Sequence, residues 1–254
     1  MQHGPEGETF FQKHAPKWTP KWFDTVVLPA GNAAGETRFL VASEPQHLVW
    51  LANQGAAELH VTTSTSDDYD HPDAFILDVD PPPEAPFGEV VDATLLMRDV
   101  LSEIGLDGAP KTSGSKGLHV HVPIVKGPKV DDARQVARWV CQQVAERHPN
   151  RYTVEMLKAD RKGRTFLDWT RNGTSMTAVA AWSARARPGA KVAMPLRWEE
   201  VTHDLDPVAF TVLTGAERAD DDPWADVMPP PQPIDACPRA TGPEPDRFGR
   251  MPKR

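Results

Sequence analysis

The stretch Ala74-Phe75-Ile76-Leu77-Asp78-Val79-Asp80-Pro81-Pro82-Pro83 decides how this chain is read. Residues 74–79 are apolar apart from Asp78 and read as a buried strand. The prolines that follow allow neither strand nor helix to continue. Side chains two apart on a strand project to the same side, so Asp78 and Asp80 share a face at its end. No basic residue lies beside them in the sequence, and two such carboxylates repel unless a cation sits between them. Hard divalent ions take oxygen ligands, so Asp-x-Asp at a strand end suits Mg²⁺ or Mn²⁺. The plain alternative is a solvated strand-to-turn boundary, where Asp beside Pro is common.

Working outward, a helix is predicted from Glu89 to Ile104, with Val90, Ala93, Val100 and Ile104 on its apolar face and Gly105 ending it. Lys111–Gly117 reads as a loop. In Leu118–Ile124 the apolar residues alternate with His119 and His121, so the two histidines share the opposite face. Asp131 opens another helix, and Thr165–Asp168 and Met176–Ala180 read as a strand pair. Upstream, short strands are expected near Thr25–Leu28, Thr37–Val41 and Glu58–Thr62. Between them a helix starts at Ser43, which has capping-box spacing to Gln46. Strands alternating with helices make a mixed α and β domain.

Three further constellations carry chemistry. Thr112-Ser113-Gly114-Ser115-Lys116-Gly117-Leu118-His119 joins two glycines, a hydroxyl, a cation and an imidazole. Freed backbone N–H groups, Ser113, Lys116 and His119 are what a triphosphate needs. It is not a Walker loop, because Lys116 precedes Gly117 and a strand; a flexible hairpin connection is the alternative. Asp168 is a lone acid in Phe166-Leu167-Asp168-Trp169, and acids are rarely buried unless paired or metal-bound. Its alternative is a partly exposed position on an edge strand. Arg185 and Arg187, two apart, suit phosphate oxygens, or else form a solvated basic turn. His119 and His121 lack the CxxC or HExxH that zinc would call for. No GxSxG supports a serine hydrolase.

The chain has 254 residues, 39% hydrophobic and 25% charged, as an ordinary globular protein has. No apolar run approaches the roughly 20 residues that span a bilayer, and the polar start, Met1 to Thr9, lacks a signal-peptide core, so a cytoplasmic location is expected. Cys141 and Cys237 make no disulfide framework. The net charge of −8 argues against a binder that is basic over its whole surface. Charge is segregated, however: Lys and Arg crowd 158–171 and 185–197. Residues 228–254 hold eight prolines and read as an extended, disordered tail.

These motifs, in this order and spacing, resemble the polymerase domain of bacterial ligase D, in the archaeo-eukaryotic primase superfamily. The likeness also takes in Glu58-Leu59-His60, Phe10-Phe11-Gln12-Lys13, Ser183–Arg187 and Trp198-Glu199-Glu200, and covers residues 4–226. It implies an α+β fold: a mixed-sheet, primase-like catalytic core with flanking helices. It implies a DNA-directed nucleotidyltransferase that fills gaps or extends ends in non-homologous end joining, often preferring ribonucleotides. Asp78, Asp80 and Asp168 would be catalytic and would hold two divalent cations, Mn²⁺ favoured and Mg²⁺ able to substitute. Ser113, Lys116 and His119 would bind the incoming triphosphate, Arg185 and Arg187 would add phosphate contacts, and His60 would sit near the 2′-hydroxyl. Phe10, Phe11 and Lys13 would face DNA, the rings stacking on the template. The family's further N-terminal segment, whose basic residues are linked to binding a 5′-phosphate, does not precede Phe10-Phe11 in this sequence: either the given start is miscalled or truncated, or the protein lacks that phosphate pocket. The domain reads as stand-alone, calling for a Ku-like end binder and a separate ligase as partners at the nucleoid. Two rival readings are a catalytically impaired nucleotide- or DNA-binding module, against which the three acids argue, and a metal-dependent phosphohydrolase.

Overall fold

The computed structural model describes residues 10–29 and 35–244; the predicted domain start at residue 4 and the tail beyond 244 lie outside them. In chain order the elements are β1 (Thr25–Pro29), β2 (Glu36–Leu40), α1 (Pro45–Asn53), β3 (His60–Val61), β4 (Ala74–Asp80) and α2 (Phe87–Glu103). Then come β5 (Ala109–Thr112), β6 (Leu118–Pro123), α3 (Val130–Arg147), β7 (Tyr152–Thr153) and α4 (Lys158–Arg161). The remainder are β8 (Thr165–Asp168), β9 (Ala178–Val179), α5 (Val212–Ala216) and α6 (Pro223–Val227).

The core is a five-stranded mixed sheet in the order β5-β6-β4-β8-β7, antiparallel except for the β7–β8 pair. This is the α+β, mixed-sheet architecture expected. The decisive stretch, β4, lies at the centre of the sheet. Its period-two alternation places Phe75, Leu77 and Val79 in the hydrophobic core with Leu118, Val120 and Val122 of β6. Val90, Ala93, Met97, Val100 and Leu101 of α2 and Val136, Val140 and Val144 of α3 fill the same core. The helices therefore cover one face of the sheet. The other face is left to Asp78, His119 and their neighbours.

Several boundaries differ from the sequence reading, each for a local reason. The first helix starts at Pro45, not Ser43, because His47 Nδ1 accepts from the N–H groups of Ser43 and Glu44, at 3.1 Å each. The second starts at Phe87, after the extended Pro86; Gly105, at φ +74°, ends it, with Leu106 N–H donating to Leu101 O. Lys111 and Thr112 belong to β5 and not to a loop. Residues 165–168 and 176–180 do not pair with each other: β8 pairs with β4 and β7, and β9 pairs with β3. A nine-residue connection carrying a 3₁₀ turn at Thr170–Asn172 separates β8 from β9 and takes β9 away from the sheet.

The expected disordered tail from residue 228 is corrected as far as residue 244. Ile234 is fully buried in the core, and Cys237 is buried beside it. Gln232 forms a parallel bridge with Ile124, and its side chain bonds Asp107 N–H and O. Arg138 donates to Gly242 O and Pro243 O, and Arg134 pairs with Glu244 at 2.8 Å. Proline removes donors and forbids a helix, but it leaves an extended chain free to lie against a surface. Composition alone did not separate a packed extended strap from a solvated one.

Candidate active site

The β-sheet register builds the centre of the site. Lys111 of β5 is opposite His119 of β6, His119 is opposite Asp78 of β4, and Asp78 is opposite Asp168 of β8. Directly opposed residues in antiparallel strands project to the same side. One row of four ionisable side chains thus crosses four strands on the face away from the helices. All four are buried.

Buried charges need partners, and these have them in part. His119 Nε2 lies 3.3 Å from Asp78 Oδ1. Arg171 Nε is 3.2 Å from Asp78 Oδ2 and 3.2 Å from Asp168 Oδ2, so one guanidinium spans both acids. Asp168 Oδ1 also accepts from the N–H and hydroxyl of Thr170, at 2.8 and 2.5 Å. Burial opposes ionisation of Asp78, but His119 and Arg171 outweigh it and hold its carboxyl well below the usual range. Burial, reinforced by the charge of Asp78, pushes Asp168 upward. Two carboxylates with environments this different are a recurrent property of sites that do chemistry.

Asp80 is on the same face of β4 but is exposed, and its carboxylate meets Arg161 Nη1 at 3.0 Å. Among the described residues no three acid, histidine or cysteine side chains converge as a ready metal set. Asp78 and Asp168 offer opposed buried oxygens, which the Arg171 guanidinium bridges.

The 112–119 segment closes on itself. Ser113 Oγ accepts from the N–H groups of Ser115 and Gly117, and Ser113 N–H donates to Gly117 O. Those two amides are therefore committed to Ser113 and not free for an anion, unlike the sequence expectation. Gly117 is required by close approach: a Cβ there would lie 2.2 Å from Val79 O. Gly114 stands at φ +64°, with Arg185 Cγ 2.6 Å from where a Cβ would be. Arg185 Nη1 donates to Ser113 O at 2.7 Å, Arg187 Nη1 to Ser115 Oγ at 2.9 Å, and Lys116 Nζ to Pro83 O at 2.9 Å.

These pieces wall one cleft of about 620 Å³. His60, Asp78, Asp80, Ser113, Lys116, His119, Arg185 and Arg187 all line it. Asp168 is not on its wall but stands beside Asp78 on the neighbouring strand. Phe10, Phe11 and Lys13 are also off the wall. Phe11 meets the His60 ring edge-on at 5.3 Å between centroids, which sets it at the rim, and both phenylalanines are exposed. Lys13 Nζ is tied to Ser175 O at 2.9 Å. His60 also contacts Glu58 at 3.3 Å, and burial keeps its imidazole below the usual range.

Sequence reasoning missed Arg171, Arg161, Arg164 and Lys158 as individuals, although their crowding in 158–171 was the signal. It also missed Glu58 as a partner of Arg185, at 2.9 Å, and missed Lys111. Seven cationic side chains line the cleft against two carboxylates. A chain of net charge −8 thus keeps a locally cationic cleft. With Asp78 buried in its wall, such a cleft can hold a polyphosphate beside a carboxylate.

The family model described as LigD, primase-polymerase domain, matches residues 1–224. The multifunctional non-homologous end joining protein LigD of Pseudomonas aeruginosa is 33% identical over 94% of this chain, a match covering 29% of that protein. The bifunctional LigD of Bacillus subtilis is 29% identical over 85% of the chain and 34% of that protein. The chain therefore spans about a third of the length of these relatives. The solved polymerase domain from Mycobacterium tuberculosis ligase D, in complex with DNA, superposes with a TM-score of 0.79 at 28% identity, covering 89% of this chain and 82% of that one.

Proposed function

The chain belongs to the LigD primase-polymerase family, and from that premise we propose that it is a metal-dependent nucleotidyltransferase extending DNA ends or filling gaps in non-homologous end joining. The observation that carries the reading is the cationic cleft with Asp78 in its wall and Asp168 directly opposite Asp78 on the next strand. Hard divalent ions fit these donors, because the acids are buried oxygen ligands that already draw a cation, Arg171, between them. Asp78 and Asp168 would hold two such ions, Mn²⁺ favoured and Mg²⁺ a substitute, with Asp80 joining them when its carboxylate turns from Arg161. When bound, the ions would lower the pKa of the primer 3′-hydroxyl and neutralise charge on the triphosphate and its pyrophosphate leaving group.

The rest falls to the chain's own side chains. Arg185, Arg187 and Lys116 present donors to phosphate oxygens. His119 stands between that wall and Asp78. Glu58 orients Arg185 and His60, and His60 is the side chain we assign to the ribose 2′-hydroxyl, hence to ribonucleotide preference. Phe10 and Phe11, exposed at the rim, would stack on template bases, a sequence-tolerant contact, with Lys13 alongside. A Ku-like end binder and a DNA ligase would act with the domain. Among the described residues no helix is long and apolar enough to cross a membrane; the place of action in this proposal is the nucleoid.

The test is nucleotide addition to a gapped primer–template, with Mn²⁺ or Mg²⁺ and with ribo- or deoxyribonucleotides, beside Asp78→Ala. Templated extension that depends on Asp78 is expected. A folded protein that binds DNA yet adds nothing under any of these conditions would remove the reading, and nucleotide breakdown without extension would replace it with hydrolysis.

A further inference from the structure

We infer that Lys111 is a positioning residue, whose ε-amino group holds the His119 imidazole from behind by donating to Nδ1. The Nε2 edge is thereby kept toward Asp78 and the cleft. The kinetic consequence rests on the nucleotidyltransferase reading; the pairing is inferred from strand register and from two buried nitrogens that have no other partner among the described residues.

The two residues are direct cross-strand partners in the β5–β6 ladder, so their side chains leave the sheet on the same face. Opposed Cβ atoms in such pairs are about 5 Å apart, well within the reach of a lysine. Lys111 Nζ and His119 Nδ1 are both buried, and neither finds a hydrogen-bond partner among the described residues. Each alone carries the desolvation cost of an unmade bond. Together they are complementary: an amino group offers N–H donors, while an imidazole that donates from Nε2 has its lone pair on Nδ1. His119 Nε2 faces Asp78 Oδ1 at 3.3 Å, and an ionised carboxylate can only accept. The ring orientation that serves Asp78 thus leaves Nδ1 as an acceptor, and Lys111 lies on that side.

The surroundings explain why the lysine is there. No carboxylate pairs with Lys111 among the described ion pairs, and Asp78 lies one strand beyond His119. Arg185, His119 and His121 are the other titratable groups around it. Burial and the Arg185 charge pull its pKa down to about 7, against the opposing pull of Asp78. A methionine of similar volume would fill this place without that cost to the fold. The lysine is therefore a burden on stability that a site role accounts for. Metal-ligand and catalytic histidines are commonly oriented through the second ring nitrogen, usually by donating its N–H to an acceptor, and losing that partner typically lowers activity about 10–100-fold; here the roles are exchanged and Lys111 is the donor.

Three measurements on the intact chain test this. In ¹⁵N-labelled wild-type protein, two-bond ¹H–¹⁵N correlation of the imidazoles, assigned with His119→Asn, should give a His119 ring protonated on Nε2 with Nδ1 shifted as a hydrogen-bond acceptor. In Lys111→Met that Nδ1 signal should move to the unbonded position or split between tautomers. The variant should melt at the wild-type temperature or above, while kcat for nucleotide addition falls about tenfold or more and KM for the nucleotide changes less. A wild-type His119 protonated on Nδ1 would overturn the proposal, as would an unchanged spectrum in Lys111→Met. Loss of activity in proportion to a lowered melting temperature would also overturn it, since the lysine would then be structural. If wild-type protein adds no nucleotide, the functional reading fails while the spectra still decide the contact.

Discussion

The two faces of the five-stranded sheet are built by one alternating pattern and obey different rules. Along β4, Phe75, Leu77 and Val79 face the helices, while Ile76, Asp78 and Asp80 face away. Along β6, Leu118, Val120 and Val122 face the helices, while His119 and His121 face away. The helix face needs only apolar neighbours of about the right volume, and any of several supplies them. The opposite face needs named partners at fixed positions. Asp78 depends on His119 and Arg171, Asp168 on Thr170 and Arg171, and the backbone of Ile76 on the Asn172 amide, at 2.6 and 2.7 Å. Burial on one face stabilises the molecule; on the other it creates groups with altered reactivity.

Neighbouring residues on opposite faces give the sharpest contrast. Asp78→Ala should lower nucleotide addition by about a thousandfold or more, a loss of roughly 4 kcal/mol of transition-state stabilisation. Its melting temperature should stay within a few degrees, because Arg171 keeps Asp168 as a partner. Leu77→Ala should do the reverse. Leu77 is fully buried, so its truncation costs about 2–5 kcal/mol and lowers the melting temperature by about 10 °C. The folded fraction should keep most of its turnover. Paired melting curves and extension assays check both, and equal destabilisation by the two substitutions would break the contrast.

The same distinction governs what could be read from the chain. The helix face was legible because its signal is periodic: Val90, Ala93 and Val100 in α2 and the alternation in β6 are one-dimensional patterns. Asp78, Asp80, Ser113, Lys116 and His119 were legible as motifs because each cluster is local in sequence. Asp78 was read as lacking a basic neighbour, and it does lack one along the chain. Its neighbour is Arg171, 93 positions away, supplied by the β4–β8 pairing. Likewise Lys111 was assigned to a loop, since membership of β5 depends on pairing with β6, and its place beside His119 is a matter of register. Register is not written in any single segment, so partnerships across strands were the part that sequence could not supply.

The strap formed by residues 228–244 extends the apolar side of the contrast. Removing everything after Met228 should expose the place of Ile234 and delete the Gln232 bonds to Asp107. The loss should be about 3 kcal/mol, on the scale of one large buried side chain with its hydrogen bonds. A urea midpoint lowered accordingly, with a similar slope, is the expected outcome. The strap also ends against Arg138 and Arg134, whose guanidinium carbons lie 5.3 and 4.8 Å from the ring centre of Trp169, next to Asp168. A truncated protein with an unchanged midpoint would show that the strap adds nothing to the core it covers.

The smallest expected effect falls on His121, which shares the polar face with His119 but lies farther from the acids. Its ring rests against Trp224 of α6, with centroids 5.4 Å apart. Burial, helped by Lys111 and His119, pulls its pKa down to about 4. In the unfolded chain an imidazole titrates near 6.5. Between those values the unfolded state binds a proton that the folded state refuses, so stability falls as pH drops from about 6.5 to 4. The depressed pKa of His60 acts in the same direction, and the raised one of Asp168 acts against it. Asp78, held low, loses its contribution only below the ordinary carboxylate range and leaves this window untouched. The difference between wild type and His121→Leu therefore isolates one ring. Urea midpoints measured from pH 7 to pH 4 should converge on a variant that loses about 2 kcal/mol less than wild type over that span. Parallel curves would mean that His121 is solvated in the folded state, and the polar face would then be tightly built only from His119 to Asp168.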